Sequence, residues 1–458
     1  MRRWLAGCLM PLAAGCAVPL ETAGPVMDLP AAWSLSAQAE SAHAPQADWW
    51  PAFGSPELAS FVVQAQADSF DLAGAAARVR QAQALARIAG ADLLPALDAA
   101  MSVGRQKREG EQSGRAYLAG LSASYEVDLW GGNAAGRDAA LATLSATQYA
   151  KEGLALTLAA EVASSYFQTA ALRARTAIAQ LNLASAERIL DLVESRARAG
   201  AATPLELAQQ RALTARQRQD LALRRQQAED SLAALAVLLG RAPQDMVMAQ
   251  QSLAGISAPP ITAGLPSELI TRRPDLARAE RLLAAADADV AAARAAMLPR
   301  LTLAASATVS SGQWRRLFDT PLYSLAAGLA APIFNAGRLS AGRDLALARR
   351  EELLAGYRFA IISALSDVEK ALNAIQGLGR QRQAQADVLA NARQAVDLAT
   401  SRYRWGAEPL LTVLDAQRTL YAAQDEAIQL DMEQLQASVG LFKALGGGWR
   451  KPEQGDAY

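Results

Sequence analysis

The chain has 458 residues, and its 45 Lys and Arg residues balance its 45 Asp and Glu residues, so no basic surface for nucleic acid is indicated. The chain has one histidine, His43, and two cysteines, Cys8 and Cys16. Once an N-terminal signal is removed, these residues cannot build a disulfide framework or a Cys/His metal site. A Ser-His-Asp triad would have to use His43, which lies in a Pro- and Ala-rich leader and is poorly placed for catalysis. Catalysis by paired carboxylates stays open, and no cofactor is predicted.

The N-terminus is predicted to be an export signal. Arg2 and Arg3 precede a short apolar run at 4–14, which is typical of a cleaved signal peptide. The segment LAAGC at 12–16 resembles the bacterial lipobox, which implies a lipoprotein signal peptide at 1–15 and lipidation of Cys16. Two alternatives are LAGC at 5–8, which points to Cys8 but leaves too short an apolar run, and an ordinary signal with an unmodified cysteine. By resemblance to lipoprotein sorting, Ala17 in place of aspartate implies transfer to the outer membrane.

The chain after the signal contains an internal duplication with a period of about 205 residues. LPAL at 94–97 returns as LPRL at 298–301, and GRD at 136–138 returns at 342–344. We therefore predict a lipidated extended leader at 16–55, a first repeat at 56–240, a linker at 241–265, a second repeat at 266–446 and a polar tail at 447–458. Each repeat should fold as a helix, two strands and a long helical hairpin.

Two pairs of segments with period-2 alternation predict the strands, at about 96–107 and 117–129 in the first repeat and about 301–311 and 322–333 in the second. In the first strand, for example, one face would carry Leu97, Ala99, Met101 and Val103, and the other face would carry Asp98, Ala100, Ser102 and Gly104. Strands of about 10 residues cross a bilayer when tilted, although two soluble hairpins with one buried face would show the same alternation. Four strands cannot close a barrel, so several chains would have to share one.

Long proline-free segments follow each strand pair and predict helical hairpins at 133–239 and 336–445. Gly200 with Pro204, and Gly406 with Pro409, break the two hairpins. In the last helix, apolar residues recur every seven positions, which is typical of a coiled-coil seam. Its remaining face, with Gln417, Gln424, Asp431 and Gln434, is polar enough to face water or a wet lumen. No apolar run of 18 or more residues follows the leader.

Several segments together resemble the TolC-like outer-membrane efflux proteins, in the OprM-type lipoprotein branch. They are WWPAF at 49–53, DLWG at 128–131, RRPDL at 272–276, PIFNAGR at 332–338 and residues 403–418. The chain departs from the family at Gly132, where arginine is frequent, and at Asn335, where aspartate is frequent. These two departures leave the expected fold unchanged.

The resemblance implies a mainly α fold with a membrane β-barrel portion: a homotrimeric 12-stranded barrel, four strands per chain, continued by a long periplasmic α-helical barrel. It implies an outer-membrane exit duct of a tripartite, RND-type efflux system, with a periplasmic adaptor, an inner-membrane transporter and outer-membrane lipid as partners. The duct itself would not be an enzyme. The alternatives are a trimeric coiled-coil surface lipoprotein with a structural or adhesive role, and a periplasmic hydrolase that uses carboxylates.

The resemblance also assigns site residues. Tyr403, Asp415 and Arg418 match the family's periplasmic gate, although an exposed Asp/Arg helix pair without a gating role would have the same spacing. The adaptor is expected to contact the hairpin tips at Gly200, Thr203, Gly406 and Glu408, where glycine and proline also have a purely structural explanation.

Overall fold

The computed structural model of the chain describes residues 27–34, 48–106, 114–447 and 449. The predicted signal peptide, Cys16, His43 and most of the polar tail lie outside these residues. The chain divides into two compact units, one built mainly from Ala77–Tyr149 and Leu276–Ala360, the other from Asp28–Ala76, Ala150–Asp275 and residues 361 onward. Within the described part of the chain, no helix combines the length and hydropathy needed to cross a membrane.

The elements follow one another in two matching series. The first series is α1 (Pro56–Asp68), α2 (Phe70–Ala91), β1 (Ala96–Gln106), β2 (Gly114–Val127), α3 (Gly132–Arg198) and α4 (Pro204–Leu238). The second is α5 (Leu269–Arg272), α6 (Pro274–Ala295), β3 (Arg300–Ser311), β4 (Pro321–Ala330), α7 (Arg338–Arg404) and α8 (Leu410–Ala444). α2 and α6 both have 22 residues, α3 and α7 both have 67, and α4 and α8 both have 35.

The four strands form one antiparallel sheet in the order β1-β2-β3-β4. Residues directly opposite each other on neighbouring strands share a face of the sheet. One face carries the row Leu97, Ala123, Ala305 and Leu325 and the row Ala99, Leu121, Ala307 and Tyr323. The opposite face carries Asp98, Ser122, Ser306 and Ser324, with the last two hydroxyls 2.8 Å apart. The register therefore joins the alternation of the single strands into one apolar and one polar face.

Some element boundaries differ from the sequence prediction. β2 begins at Gly114 rather than near 117, because Gly114 to Ala116 extend the ladder with β1. β4 ends at Ala330 rather than near 333, since Pro332 has no N–H to donate to a sheet. α7 begins at Arg338 because Ala336 and Gly337 have φ values of 51° and 82°, outside the helical region.

Aromatic residues of the leader form the core of the second unit. Trp49 stacks on Phe442 of α8 at 5.0 Å between ring centroids, and Phe53 contacts Phe167 of α3 at 5.2 Å. Ser55 caps α1 by accepting from the Leu58 N–H and lies 2.9 Å from the Tyr166 hydroxyl. The WWPAF segment is thus a packing element that fastens the leader to the helices.

The heptad positions of α8 are buried at Leu414, Leu435 and Phe442, as a coiled-coil seam requires. The prediction that Gln417 faces water is wrong, because its side chain is fully buried and its Nε2 donates to the Tyr421 hydroxyl at 3.1 Å. Asp431 is half-exposed and pairs with Arg382 of α7 at 2.7 Å. Part of the polar stripe is therefore buried, as at Gln417, or paired with a neighbouring helix, as at Asp431.

Arg273 fixes the start of α6 within the second unit. Its guanidinium donates to Asp275 at 2.8 Å, to Asp367 of α7 at 3.2 Å and to the carbonyl oxygen of Ala444 at 3.0 Å. The RRPD segment has a structural role, since it joins the beginning of one helix to two others.

Candidate functional site

The two helical hairpins turn with the same backbone geometry. Gly200 and Gly406 have φ values of 72° and 74°, a conformation that glycine adopts without a Cβ penalty. The N–H of Ala201 donates to the carbonyl of Arg196 at 2.8 Å, and the N–H of Ala407 donates to the carbonyl of Arg402 at 2.9 Å. Both long helices therefore end in a Schellman turn, and both glycines are exposed at the tips.

The first tip is closed by a capping box. The Thr203 side chain accepts from the Glu206 N–H at 3.2 Å, and the Glu206 carboxylate accepts from the Thr203 N–H at 2.7 Å. These two bonds satisfy helix N–H groups that would otherwise lack a partner. The return helix α4 consequently starts in a fixed direction.

The second tip lacks such a cap. Pro409 occupies the cap position of α8 and makes no side-chain hydrogen bond there. Glu408 instead pairs with Arg402 of α7 at 3.0 Å and lies 3.5 Å from the Thr412 hydroxyl. This tip is joined across its base by an ion pair that is open to solvent.

Large apolar side chains are exposed at both tips. The side chain of Trp405 is 87% exposed, and Leu205 and Leu411 are more than half exposed. Trp405 is not among the predicted site residues, although it stands where the first repeat has Ala199 and comparison of the repeats could have revealed it. Exposed aromatic residues of this kind are enriched where proteins bind one another.

The Tyr403 side chain is buried where the two hairpins pack against each other. It is 2% exposed and packs in a cluster with Ile189 and Val193 of α3, Leu213 of α4, and Leu410, Val413 and Leu414 of α8. Burial raises the pKa of the Tyr403 phenol and the nearby Glu206 carboxylate raises it further, while Arg196 lowers it. The hydroxyl oxygen is buried and has no hydrogen-bond partner among the described residues.

Arg196 connects the two hairpins at the same place. Its guanidinium carbon lies 4.6 Å from the centroid of the Tyr403 ring, its Nη1 donates to the Tyr403 carbonyl oxygen, and its Nη2 donates to the Ala201 carbonyl at 3.3 Å. A cation over an aromatic face contributes about 0.5 to 2 kcal/mol. Arg196 is not among the predicted site residues, because no local spacing relates it to Tyr403, which is 207 positions away.

Asp415 and Arg418 form an exposed pair on α8. Their side chains are 62% and 65% exposed, and the nearest charged atoms are 3.4 Å apart. Arg418 also lines a groove of about 830 Å³ between α4 and α8, together with Arg216 and Tyr421. Of the three predicted gate residues, the structure joins Asp415 to Arg418, whereas Tyr403 is in the buried cluster with Leu414.

A second contact holds α3 against α8 farther from the tips. Arg175 donates its Nε and Nη2 to the two carboxylate oxygens of Asp425, at 2.6 and 2.5 Å, and Arg224 of α4 reaches the same carboxylate at 3.4 Å. Bidentate pairs of this kind are among the stronger polar contacts in proteins. In the part of the chain that the structure describes, no group of His, Cys, Asp and Glu side chains could hold a metal ion.

The duplicated series of elements, the sheet with one apolar and one polar face, and the paired hairpins agree with the architecture predicted for an outer-membrane efflux channel. The chain belongs to the outer membrane efflux protein family, whose profile matches residues 61–241 and 265–447. The two matched segments correspond to the two series of elements.

Relatives over the full length agree with this assignment. The chain is 50% identical to the pyoverdine export outer membrane protein OpmQ of Pseudomonas aeruginosa, over 98% of this chain and 97% of the relative. It is 47% identical to the protein of the same name from Pseudomonas putida, over 97% of each. It is also similar to the crystal structure of the Campylobacter jejuni CmeC outer membrane channel, with 25% identity and a TM-score of 0.87 over 94% of this chain and 96% of that one.

These findings confirm the predicted fold class and main function. The fold is the internally duplicated TolC-like fold, mainly helical with one four-stranded sheet. The chain is the outer-membrane exit duct of an efflux system, and its family consists of transport ducts. The coiled-coil surface lipoprotein and the carboxylate hydrolase are therefore set aside.

Proposed function

We propose that this duct works in a tripartite, RND-type system, in which a periplasmic adaptor joins it to an inner-membrane transporter that supplies the energy. Membership of the efflux family and full-length similarity to efflux components support this assembly. The relatives named for pyoverdine export make pyoverdine the first substrate to test. A strain that lacks the gene and retains its pump should lose export, and plasmid-borne parent protein should restore it.

The adaptor is proposed to bind the hairpin tips around Gly200, Thr203, Gly406 and Glu408. The exposed side chains of Trp405 and Leu205 support this placement, because they give each tip an apolar anchor beside its polar turn. Trp405→Ala should weaken adaptor binding, measured by cross-linking or pull-down with the cognate adaptor. Trp314→Ala, which changes an exposed tryptophan of the sheet unit, is the matched control and should bind normally.

Cys16 is proposed to carry a lipid that anchors the leader to the outer membrane. The lipobox at 12–16 supports this proposal. Mass spectrometry of the mature N-terminus would reveal a lipid-modified cysteine in the parent. A mature N-terminus at another residue, or an unmodified Cys16, would contradict the anchor.

The gate is proposed to lie where the hairpins meet and to involve Tyr403, Asp415 and Arg418. In a threefold tube, inward-facing carboxylates repel one another unless a cation lies between them. The Asp415 and Arg418 side chains are exposed within one chain, which leaves them accessible to a neighbouring subunit. Tyr403 contributes in a different way, because its ring supports Arg196, which ties the hairpins together.

Single-channel conductance in planar bilayers tests this gate. The parent should show a small conductance, and both Tyr403→Ala and the Asp415→Ala/Arg418→Ala double variant should raise it several-fold. Tyr403→Phe is the matched control, since it removes only a hydroxyl that has no partner among the described residues. A wide parent conductance that these substitutions leave unchanged would keep the channel but refute the gate.

A further inference from the structure

Among the described residues, four arginines lie at the hairpin end of the sheet, opposite to the strand ends that connect to the helices. Arg105 is next to the last residue of β1, and Arg115 is the second residue of β2. Arg315 and Arg316 belong to a short turn between β3 and β4. All four are exposed, and we refer to them as the rim arginines.

The first two rim arginines face each other across the β1-β2 ladder. Side chains in such a position start about 4.5 to 5.5 Å apart at Cβ, and like charges there destabilise the pair. Among the ion pairs of the described residues, none involves a rim arginine or Asp319 of the β3-β4 connection. The described residues thus concentrate positive charge at this end of the sheet, and Asp319 forms no ion pair that would neutralise it.

The β3-β4 turn lies beside the β1-β2 pair. Tyr117 is opposite Ser311, and its ring contacts the ring of Trp314 at 5.8 Å between centroids. A Cβ added to Gly312 would come within 3.4 Å of the Arg115 carbonyl oxygen. These contacts place the turn that carries Arg315 and Arg316 next to Arg115.

The rim arginines also border the apolar face of the sheet. Arg105 and Arg115 share that face with Val103 and Tyr117, by the period-2 alternation of their strands. Trp314 and Phe318 are exposed on the turn. Aromatic residues flank the apolar band of a membrane barrel at the level of lipid head groups. The helices α2, α3, α6 and α7 connect to the opposite ends of the strands. In an outer-membrane barrel whose helices lead into the periplasm, the hairpin ends of the strands would therefore face the cell exterior.

We propose that the rim arginines bind the phosphate groups of a phosphorylated glycolipid in the outer leaflet of the membrane. Arginine presents a planar set of donors that binds phosphate oxygens in a bidentate manner, and a phosphate between Arg105 and Arg115 would relieve their repulsion. The aromatic and apolar side chains next to them would contact the acyl chains and sugars of the same lipid. This inference requires the barrel to be in the outer membrane and is independent of the adaptor, the gate and the exported substrate.

The test measures binding of bis-phosphorylated lipid A to the purified trimer in detergent, by native mass spectrometry and by the thermal midpoint of trimer dissociation. The parent should bind lipid A and melt at a higher temperature in its presence. Substitution of all four rim arginines by glutamine should weaken binding by roughly tenfold or more. The matched control is Arg300→Gln, which removes an exposed arginine at the other end of β3 and should bind as the parent does.

Two further ligands test whether the arginines bind the phosphate of a lipid or free phosphate. Fully dephosphorylated lipid A and inorganic phosphate, each at the same concentration as lipid A, should leave the thermal midpoint of the parent unchanged. Equal stabilisation by the dephosphorylated lipid would overturn the phosphate contact, and equal stabilisation by inorganic phosphate would overturn the lipid assignment. Lipid A binding by the glutamine variant at parental affinity would overturn the proposal altogether.

Two further variants guard against a simple folding defect. Arg105→Gln/Arg115→Gln and Arg315→Gln/Arg316→Gln should each form trimers and each weaken lipid binding part of the way. Conductance of both double variants in planar bilayers should equal that of the parent, so a failure of the lipid site is distinguishable from a failure of the duct. Replacement of all four arginines by lysine should bind more tightly than the glutamine variant, because the positive charge is kept.

Discussion

The two helical hairpins have the same lengths, 67 and 35 residues in each, and the same backbone turn at the tip, but equivalent arginines in them bind different partners. Arg196 of the first hairpin reaches across to Tyr403 of the second. Arg402, its counterpart about 206 positions later, stays on its own tip and pairs with Glu408. Duplication has kept the shape of the hairpin while the contacts of the two copies diverged.

The caps show the same divergence. The first return helix is fixed by its own capping box at Thr203 and Glu206, whereas the second begins after Pro409 without a side-chain cap. The second hairpin is held to the first by the apolar cluster around Tyr403 and by Arg196, and we expect these contacts to matter more for it than for the first hairpin. If the gate opens by movement of one hairpin, we expect the second hairpin to move, because its tip has no side-chain cap.

The largest effect is expected for Arg196→Ala. The substitution removes a cation over the Tyr403 ring and a hydrogen bond from a charged group to the Tyr403 carbonyl, which together should lower the free energy of local opening of the second tip by about 2 kcal/mol. Hydrogen exchange of the amides at 402–412 measures that opening. Single-channel conductance should rise in the same variant.

Arg402→Ala is the matched control for Arg196→Ala. It removes an arginine whose side chain is 61% exposed, and exposed ion pairs contribute about 0 to 1 kcal/mol. If the amides at 402–412 exchange hydrogen equally fast in the two variants, Arg196 does not hold the second hairpin. The different contacts of the two arginines would then have no effect on how the hairpins open.

The next effect concerns the two tip glycines. Gly200→Ala and Gly406→Ala each force alanine into the left-handed region, at a cost of about 1 to 2 kcal/mol. Because nothing lies within 4 Å of a Cβ added at either glycine, the cost should be equal at both tips. Local hydrogen exchange at each tip measures it. A clear inequality would mean that the turns, and not only the side chains around them, have diverged.

Much of the fold could be predicted because it depends on patterns that repeat along the chain. The recurrence of LPAL, GRD and the Gly-Pro breaks indicated two equal series of elements, and alternation at Leu97 to Gly104 indicated both faces of β1. Strand ends were less accurate, because the end of β4 depends on Pro332 and the start of α7 on the backbone of Ala336. These local features do not alter the period of the pattern.

The candidate site was predictable only in part. Asp415 and Arg418 are three positions apart on one helix, so their contact follows from helix geometry. The contact of Arg196 with Tyr403 depends on how two hairpins pack, and single-sequence periodicity carries no information on that packing. The burial of Gln417 was missed for the same reason, since neighbouring helices can cover a glutamine on a polar stripe.

The third effect concerns the caps and should be confined to the first tip. Thr203→Ala removes the capping box and should lower the free energy of opening of the amides at 203–207 by about 1 kcal/mol, while Thr203→Ser should retain most of it. Glu408→Ala, the equivalent change at the second tip, removes a solvent-exposed pair and should cost less than about 1 kcal/mol. Equal effects at the two tips would contradict the view that only the first is fixed by its own cap.

The smallest effect is a dependence on alkaline pH. The pKa of Tyr403 is raised in the folded protein, so folding favours the neutral phenol. The stability that this preference contributes is complete below the unfolded pKa of about 10 and is lost as the pH rises through the folded pKa. Tyr403→Phe should therefore lose less stability than the parent above about pH 10. Thermal midpoints of the two trimers, measured from pH 8 to 12, provide the comparison, and the difference between them removes the effect of other buried tyrosines such as Tyr421. Identical dependence of the two thermal midpoints on pH would mean that the Tyr403 hydroxyl is in contact with water. The Tyr403 ring could then not be the buried side chain against which Arg196 packs to join the two hairpins.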